Sequence, residues 1–203
     1  MAELYRKYWK PLYHYLRCRG YNNDKAKDLV QGFFTDKVLG QEFIQRADRS
    51  KGKFRTFLLI AAKNYALNVK RRERIPQKSD DESSAIVDPE DEFNRAWAQE
   101  LLSEVLKELE AECDLKGKTT HWEMFKAWLL EPAIESSETQ MSDICAKYGV
   151  ERASQAYNMI SNIKKRFRAI LRSHLRLLVV SDAEVNGEIA CFIKAFSKNT
   201  ARF

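Results

Sequence analysis

Apolar residues return every three or four positions along most of this chain, and period-two alternation is scarce, so the pattern predicts an all-α protein of seven or eight helices. The first runs from Glu3 to Cys18 with Leu4, Tyr8, Leu12, Tyr15 and Leu16 on one face. Pro11, which lacks an amide hydrogen and crowds the preceding turn, should kink or divide it. Asn23 or Asp24 can cap the second, which carries Leu29, Val30, Phe33, Phe34 and Val38 toward Phe43. A loop, Arg46 to Gly52, leads into a helix from Lys53 to Arg72. There Phe54, Phe57, Leu58, Ala61, Tyr65 and Val69 recur at core-facing spacing, while Arg55, Lys63, Asn64, Asn68, Lys70 and Arg71 collect elsewhere. Phe93, Trp97, Leu101, Leu102, Val105, Leu106 and Leu109 mark a further helix, broken at Leu115-Lys116-Gly117. Trp122, Phe125, Trp128 and Leu129 form a shorter one closed by Pro132.

Toward the C-terminus, Met141 to Tyr148 reads as a short helix ending at Gly149, a residue free to take the positive φ of a tight turn. A long helix follows through Ser154, Ala156, Ile160, Ile163, Phe167, Ile170 and Leu171, so the two predict a helix-turn-helix. Ser181-Asp182-Ala183-Glu184 has the spacing of a capping box and opens a last helix with Val185, Ile189, Phe192, Ile193 and Phe196 in one stripe. That stripe either packs as ordinary core or serves as a regulatory tail docking between domains.

One stretch interrupts the periodicity. Between Gln77 and Glu92 lie seven acidic residues and one Lys, with few bulky apolar side chains. Such a segment buries too little surface to offset its ordering entropy and is expected to be a flexible acidic linker. The expected organisation is therefore a helical domain at 1–76, the linker at 77–92, a helix-turn-helix domain at 93–180 and a C-terminal amphipathic extension at 181–203.

Charge sharpens the picture. The chain has 203 residues and a formal charge of +6, and the excess is concentrated. Arg46 to Arg74 holds ten Lys or Arg against two acids, and Arg152 to Val180 holds seven with no acid. Helices presenting cations, amides and aromatics together can neutralise phosphates and contact bases, whereas either block alone could be a solvated basic face. In the second block Arg152, Gln155, Asn158 and Asn162 point outward near the start of the long helix. Amide side chains pair bidentately with adenine, and Lys164, Lys165, Arg166 and Arg168 suit phosphates.

Other chemistry is scarce. The seven glycines form no phosphate-cradling loop, and Cys18, Cys113, Cys145 and Cys191 make no Cys-x-x-Cys pair, so they are expected to be reduced, packed thiols. His14, His121 and His174 are isolated and read as surface or packing residues. No metal or cofactor is expected. No apolar run reaches membrane-span length and residues 1–9 carry no apolar stretch of the signal-peptide kind, so the expectation is a cytoplasmic protein without membrane insertion.

The arrangement Leu29-Val30-Gln31, then Gly52-Lys53-Phe54-Arg55-Thr56-Phe57-Leu58, Ala62-Lys63-Asn64-Tyr65-Ala66-Leu67-Asn68 and Arg71-Arg72, resembles the promoter-melting domain of extracytoplasmic-function sigma factors. The segment Phe93 to Leu130 with the helix-turn-helix resembles the second domain of that family, so the likeness covers nearly the whole chain to Leu178 in the family's order. The resemblance implies a protein that is not itself an enzyme but binds core RNA polymerase, directs it to promoter DNA and helps to open that DNA. It assigns Lys27, Asp28 and Gln31 to docking on the polymerase clamp helices. Asp48, Arg49, Lys51 and Lys53, with Lys63, Asn64 and Asn68, fall where the family captures the melted minus-ten strand, and Arg71 and Arg72 where it holds backbone at the duplex junction. Arg152, Gln155, Asn158, Asn162, Lys164, Lys165, Arg166 and Arg168 fall on the minus-thirty-five element.

The departures matter too. Many members carry Asp-Ala-Glu-Asp on the clamp-binding helix, where this chain has Lys25-Ala26-Lys27-Asp28, and Gly32 replaces an acid after the Gln. The turn Val150-Glu151-Arg152-Ala153 is slightly longer than the family's. The charge deficit resembles a subgroup switched on by Ser/Thr protein kinases instead of anti-sigma factors, with Thr56, beside Lys53 and Arg55, as candidate phosphosite; the alternative role for Thr56 is to cap or pack the helix start. A second class of reading is a dimeric helix-turn-helix transcription regulator that never binds core polymerase. It would have no use for the basic, aromatic N-terminal helix. A nucleic-acid enzyme would need a carboxylate cluster of recognisable metal-binding pattern, which the sequence lacks.

Overall fold

The computed structural model describes residues 2–38, 54–73, 88–130, 140–176 and 182–197, and among them it is all-helical, with eight helices and no strand. They are α1 (Ala2–Cys18), α2 (Asn23–Phe33, continued by a π-helical turn Phe34–Val38), α3 (Phe54–Arg72), α4 (Pro89–Leu115), α5 (Thr119–Phe125, continued by a π-helical turn Lys126–Leu130), α6 (Met141–Tyr148), α7 (Ala153–Arg176) and α8 (Asp182–Ser197). Close contacts gather the chain into two compact units, Met1–Glu100 with Leu178–Glu188 and Leu101–Leu177 with Ile189–Phe203.

In the first unit α1 packs on α2 and α2 on α3. Of the two outcomes expected at Pro11, a kink or a division, division does not occur: α1 runs through it from Ala2 to Cys18. Pro11 is buried along with Tyr8, Leu12, Tyr15 and Leu16, and packing of that stripe outweighs the lost hydrogen bond. The helix ends where Gly20, at φ 85°, lets the Tyr21 amide donate to the Leu16 carbonyl at 3.2 Å. The cap of α2 is Asn22, one residue before the expected position: its side chain accepts from the Lys25 amide at 2.8 Å, while Asn23 accepts from the Tyr13 hydroxyl. The expected continuation to Phe43 lies outside the described residues.

The helix α4 begins inside the stretch expected to be linker. Asp88 accepts from the Glu90 amide at 2.9 Å, Pro89 takes the first helical position, and Glu90, Asp91 and Glu92 fill the first turn. Acidic residues there complement the positive end of the helix dipole, so the composition that reads as linker is here a helix start. The rest of the expected linker, through residue 87, lies outside the described residues. Phe93, Ala96, Trp97 and Ala98 bury the first half of α4.

In the second unit α5 and α6 pack on α7, and α5 contacts α6. Its buried residues include Leu101, Val105, Leu109, Trp122, Met124, Phe125, Ile144, Ile160, Ile163 and Phe167. The break after Leu115 occurs as expected, with Gly117 at φ 63°. Pro132 and Ser181 lie outside the described residues, though α8 starts at Asp182 where the capping-box spacing puts it. In α8, Val185 and Phe192 are buried, Ile189 and Phe196 half-buried and Ile193 exposed, so only part of the expected stripe is covered.

Candidate nucleic-acid interface

The helix α3 contains no acidic residue. Its deepest side chains are Arg55, Leu58, Leu59, Ala62 and Ala66, whereas Phe54, Phe57, Ala61, Tyr65 and Val69, expected to face the core, are only half-buried. The buried stripe is thus turned by about one residue, ~100° around the axis, from the expected one. Thr56, Ile60, Lys63, Asn64, Asn68, Arg71 and Arg72 are all exposed. At helical spacing they gather on the side away from the buried stripe, giving one surface of three cations and two amides with Ile60 among them. Asp48, Arg49, Lys51 and Lys53, which were expected to extend this surface, lie outside the described residues.

A tight contact joins α3 to α2. The Tyr65 hydroxyl donates to Asp36 at 2.8 Å, its ring meets Phe33 edge-on, and a Cβ at Gly32 would lie 2.5 Å from that hydroxyl. Burial pushes the Tyr65 hydroxyl up to about 12, with the Asp36 hydrogen bond and charge adding to the effect. Gly32, expected only as the loss of an acidic charge, is therefore also the residue that admits Tyr65. On the solvent side of α2, Lys27, Asp28 and Gln31 are exposed. Lys25 instead forms an ion pair with Glu73 just beyond the end of α3.

The second surface belongs to α6 and α7. Gly149 takes the left-handed conformation (φ 66°, ψ 33°), and the Val150 amide donates to the Cys145 carbonyl at 3.0 Å. Ala156, Ile160, Ile163, Phe167, Ile170, Leu171 and Leu175 then bury one side of α7. Ser154 is exposed, in the first turn before the apolar spacing begins. Arg152, Gln155, Asn158, Asn162, Lys165, Arg166 and Arg168 are exposed and Lys164 is half-buried. Arg166 is already engaged, donating from Nε to Glu112 at 2.6 Å. Lys116 donates to the same carboxylate, and these two hydrogen bonds hold Glu112 below the usual carboxylate range. Tyr157, unremarked in the sequence, is 50% exposed next to Asn158, its ring edge-on to Trp128 at 5.9 Å.

The sequence pattern missed one group altogether. Arg55 is only 6% exposed; its guanidinium lies 3.9 Å above the Trp97 ring and 3.3 Å from the carboxylate of Glu188, itself 3% exposed. Burial pushes the neighbouring Tyr8 hydroxyl well above its usual value, against the pull of Arg55 and with the push of Glu188. The available clue was spacing: Arg55 falls in register with Leu58, Leu59, Ala62 and Ala66.

No protein-family model matches the chain, nor does any curated protein or solved structure. Among the described residues no group of three or more His, Cys, Asp or Glu is placed to hold a metal ion, and no helix is long and apolar enough to cross a membrane. Of the three histidines, His174 lies 2.7 Å from Glu108 and 3.7 Å from Glu104, and His14 lies 3.8 Å from Glu92. Burial and the Lys118 charge lower the pKa of His121.

Proposed function

We propose that the protein is a bacterial alternative sigma factor, without catalytic activity of its own, that binds core RNA polymerase in the cytoplasm, reads promoter DNA and helps to open it. The observation that carries this reading is α3, an acid-free helix whose exposed side collects Lys63, Asn64, Asn68, Arg71 and Arg72. A duplex reader needs only a helix in the major groove. A protein that holds melted DNA also needs cations and hydrogen-bonding or stacking groups for a single strand, where each stacked base contributes roughly 1–3 kcal/mol. The exposed Arg152, Gln155, Asn158 and Asn162 at the start of α7 supply the duplex-reading part, and Lys165 and Arg168 the phosphate contacts.

The exposed Lys27, Asp28 and Gln31 are the proposed clamp-binding residues. Thr56, exposed in the first turn of α3, is the proposed target of a Ser/Thr protein kinase, where the helix amides favour an anion.

Purified chain and core polymerase should form a holoenzyme that makes thymines permanganate-reactive on promoter fragments it selects from genomic DNA. Asn64→Ala and Asn68→Ala should lose most of that reactivity while retaining upstream duplex binding. Gln155→Ala and Asn158→Ala should weaken the duplex binding first. Normal opening in both α3 variants removes the role given to α3, and failure to associate with core polymerase leaves the dimeric regulator as the reading.

A further inference from the structure

The Arg55–Glu188 pair links the second residue of α3 to a helix at the other end of the chain. We infer that α8 is a built-in brace for α3, and that Glu188, acting through the Arg55 guanidinium, is a positioning residue for the exposed strand-holding side of that helix. The role in strand holding rests on the sigma-factor reading; the brace does not.

Four helices meet at this point: Tyr8 comes from α1, Arg55 from α3, Trp97 from α4 and Glu188 from α8, and each of the four is 6% exposed or less. The guanidinium is fixed by the indole 3.9 Å from it and by the carboxylate at 3.3 Å. Its Nη1 is buried with no hydrogen-bond partner among the described residues, so the charge depends on few contacts. Taking away the carboxylate would strand a cation in a dry site, which is far more costly than trimming an apolar contact. An apolar seam also tolerates sliding and rolling, whereas a buried ion pair has one register. Arg55 is on the buried stripe with Leu58, Leu59, Ala62 and Ala66, away from Ile60, Asn64 and Arg71. Any roll of α3 that re-aimed those exposed residues would pull Arg55 off Trp97 and Glu188. The pair therefore sets the angle at which α3 presents its outer side.

The test uses the full chain with Glu188→Ala, Glu188→Gln, Arg55→Met and the double change Arg55→Met with Glu188→Leu. Val185→Ala, which trims a buried apolar residue of α8, is the control. Urea unfolding, amide hydrogen exchange in α3 and permanganate reactivity with core polymerase are read for each. Either single removal should lower the folding equilibrium constant by at least about 100-fold, and the double change should recover most of it. Amides of α3 should exchange faster in Glu188→Ala than in Val185→Ala, and Glu188→Gln should fall between wild type and Glu188→Ala. Under conditions where every variant remains folded, Glu188→Ala should reduce strand opening and leave upstream duplex binding unchanged. Unaltered α3 exchange in Glu188→Ala, or equal acceleration by Val185→Ala, overturns the brace. Faster exchange with normal opening, while Asn64→Ala blocks opening, overturns the positioning role alone. Should Asn64→Ala also open DNA normally, the sigma-factor reading fails and the exchange data still decide the brace.

Discussion

At the scale of single residues, packing gives Gly32 a role that charge comparison does not. A Cβ there meets the Tyr65 hydroxyl at 2.5 Å, and that hydroxyl is tied to Asp36. Gly32→Ala should destabilise the chain by about 1–3 kcal/mol through overpacking, more than offsetting the helix-propensity gain of alanine. Tyr65→Phe removes the obstructing oxygen at a cost of about 1 kcal/mol for its hydrogen bond. The two changes should therefore be non-additive in urea denaturation, with the double variant more stable than the sum implies. Lys27 raises the other residue-scale question. If α2 docks on a basic clamp surface, like-charge repulsion slows association, so Lys27→Glu should tighten binding to core polymerase, with an effect that shrinks as salt is added. Phosphorylation at Thr56 should act in the same direction, and Thr56→Ala should remain inactive beside an active kinase. Wild-type binding as tight as that of Lys27→Glu and of phosphorylated protein would end the charge-deficit idea.

At the scale of elements, α7 has one cation engaged in structure and others that the sigma-factor reading assigns to DNA. Arg166 and Lys116 share Glu112, which joins α7 to α4 within the second unit. Because the folded state lowers the Glu112 pKa, its contribution to stability is fully present above its ordinary value of 4.5 and is lost as pH falls through the lower, folded value. Urea midpoints should accordingly fall more steeply below pH 4.5 for wild type than for Glu112→Gln, whose midpoint is lower near neutrality. Lys165 and Arg168 carry no such bond among the described hydrogen bonds and ion pairs. Removing either should reduce the salt slope of DNA binding by about 0.9, and Arg166→Ala should reduce it less.

At the scale of the molecule, each unit has its own buried core and its own exposed set of cations and amides. Asn64 in α3 and Asn158 in α7 belong to different compact units, so combining Asn64→Ala with Asn158→Ala should multiply their separate effects on transcription. A larger or smaller combined loss would mean that the two surfaces act as one. The helices themselves were legible because apolar spacing of three and four is a local property: Ala156, Ile160, Ile163 and Phe167 in α7, and the glycine ending α6, are where the pattern puts them. The outward-facing Lys63, Asn64, Asn68, Gln155, Asn158 and Asn162 were legible for the same reason. What only the tertiary structure decided is which apolar-compatible stripe of α3 goes deepest, since Phe54, Phe57 and Leu58 permit one roll and Leu58, Leu59 and Ala62 another. Periodicity assigns a cation to the outside, and it takes a carboxylate and an indole from distant segments to make burial of Arg55 tolerable. Likewise composition marks Asp88 to Glu92 as unable to order itself, because it counts apolar side chains and not the amides that Asp88 caps or the core that Phe93 and Trp97 enter three-dimensionally.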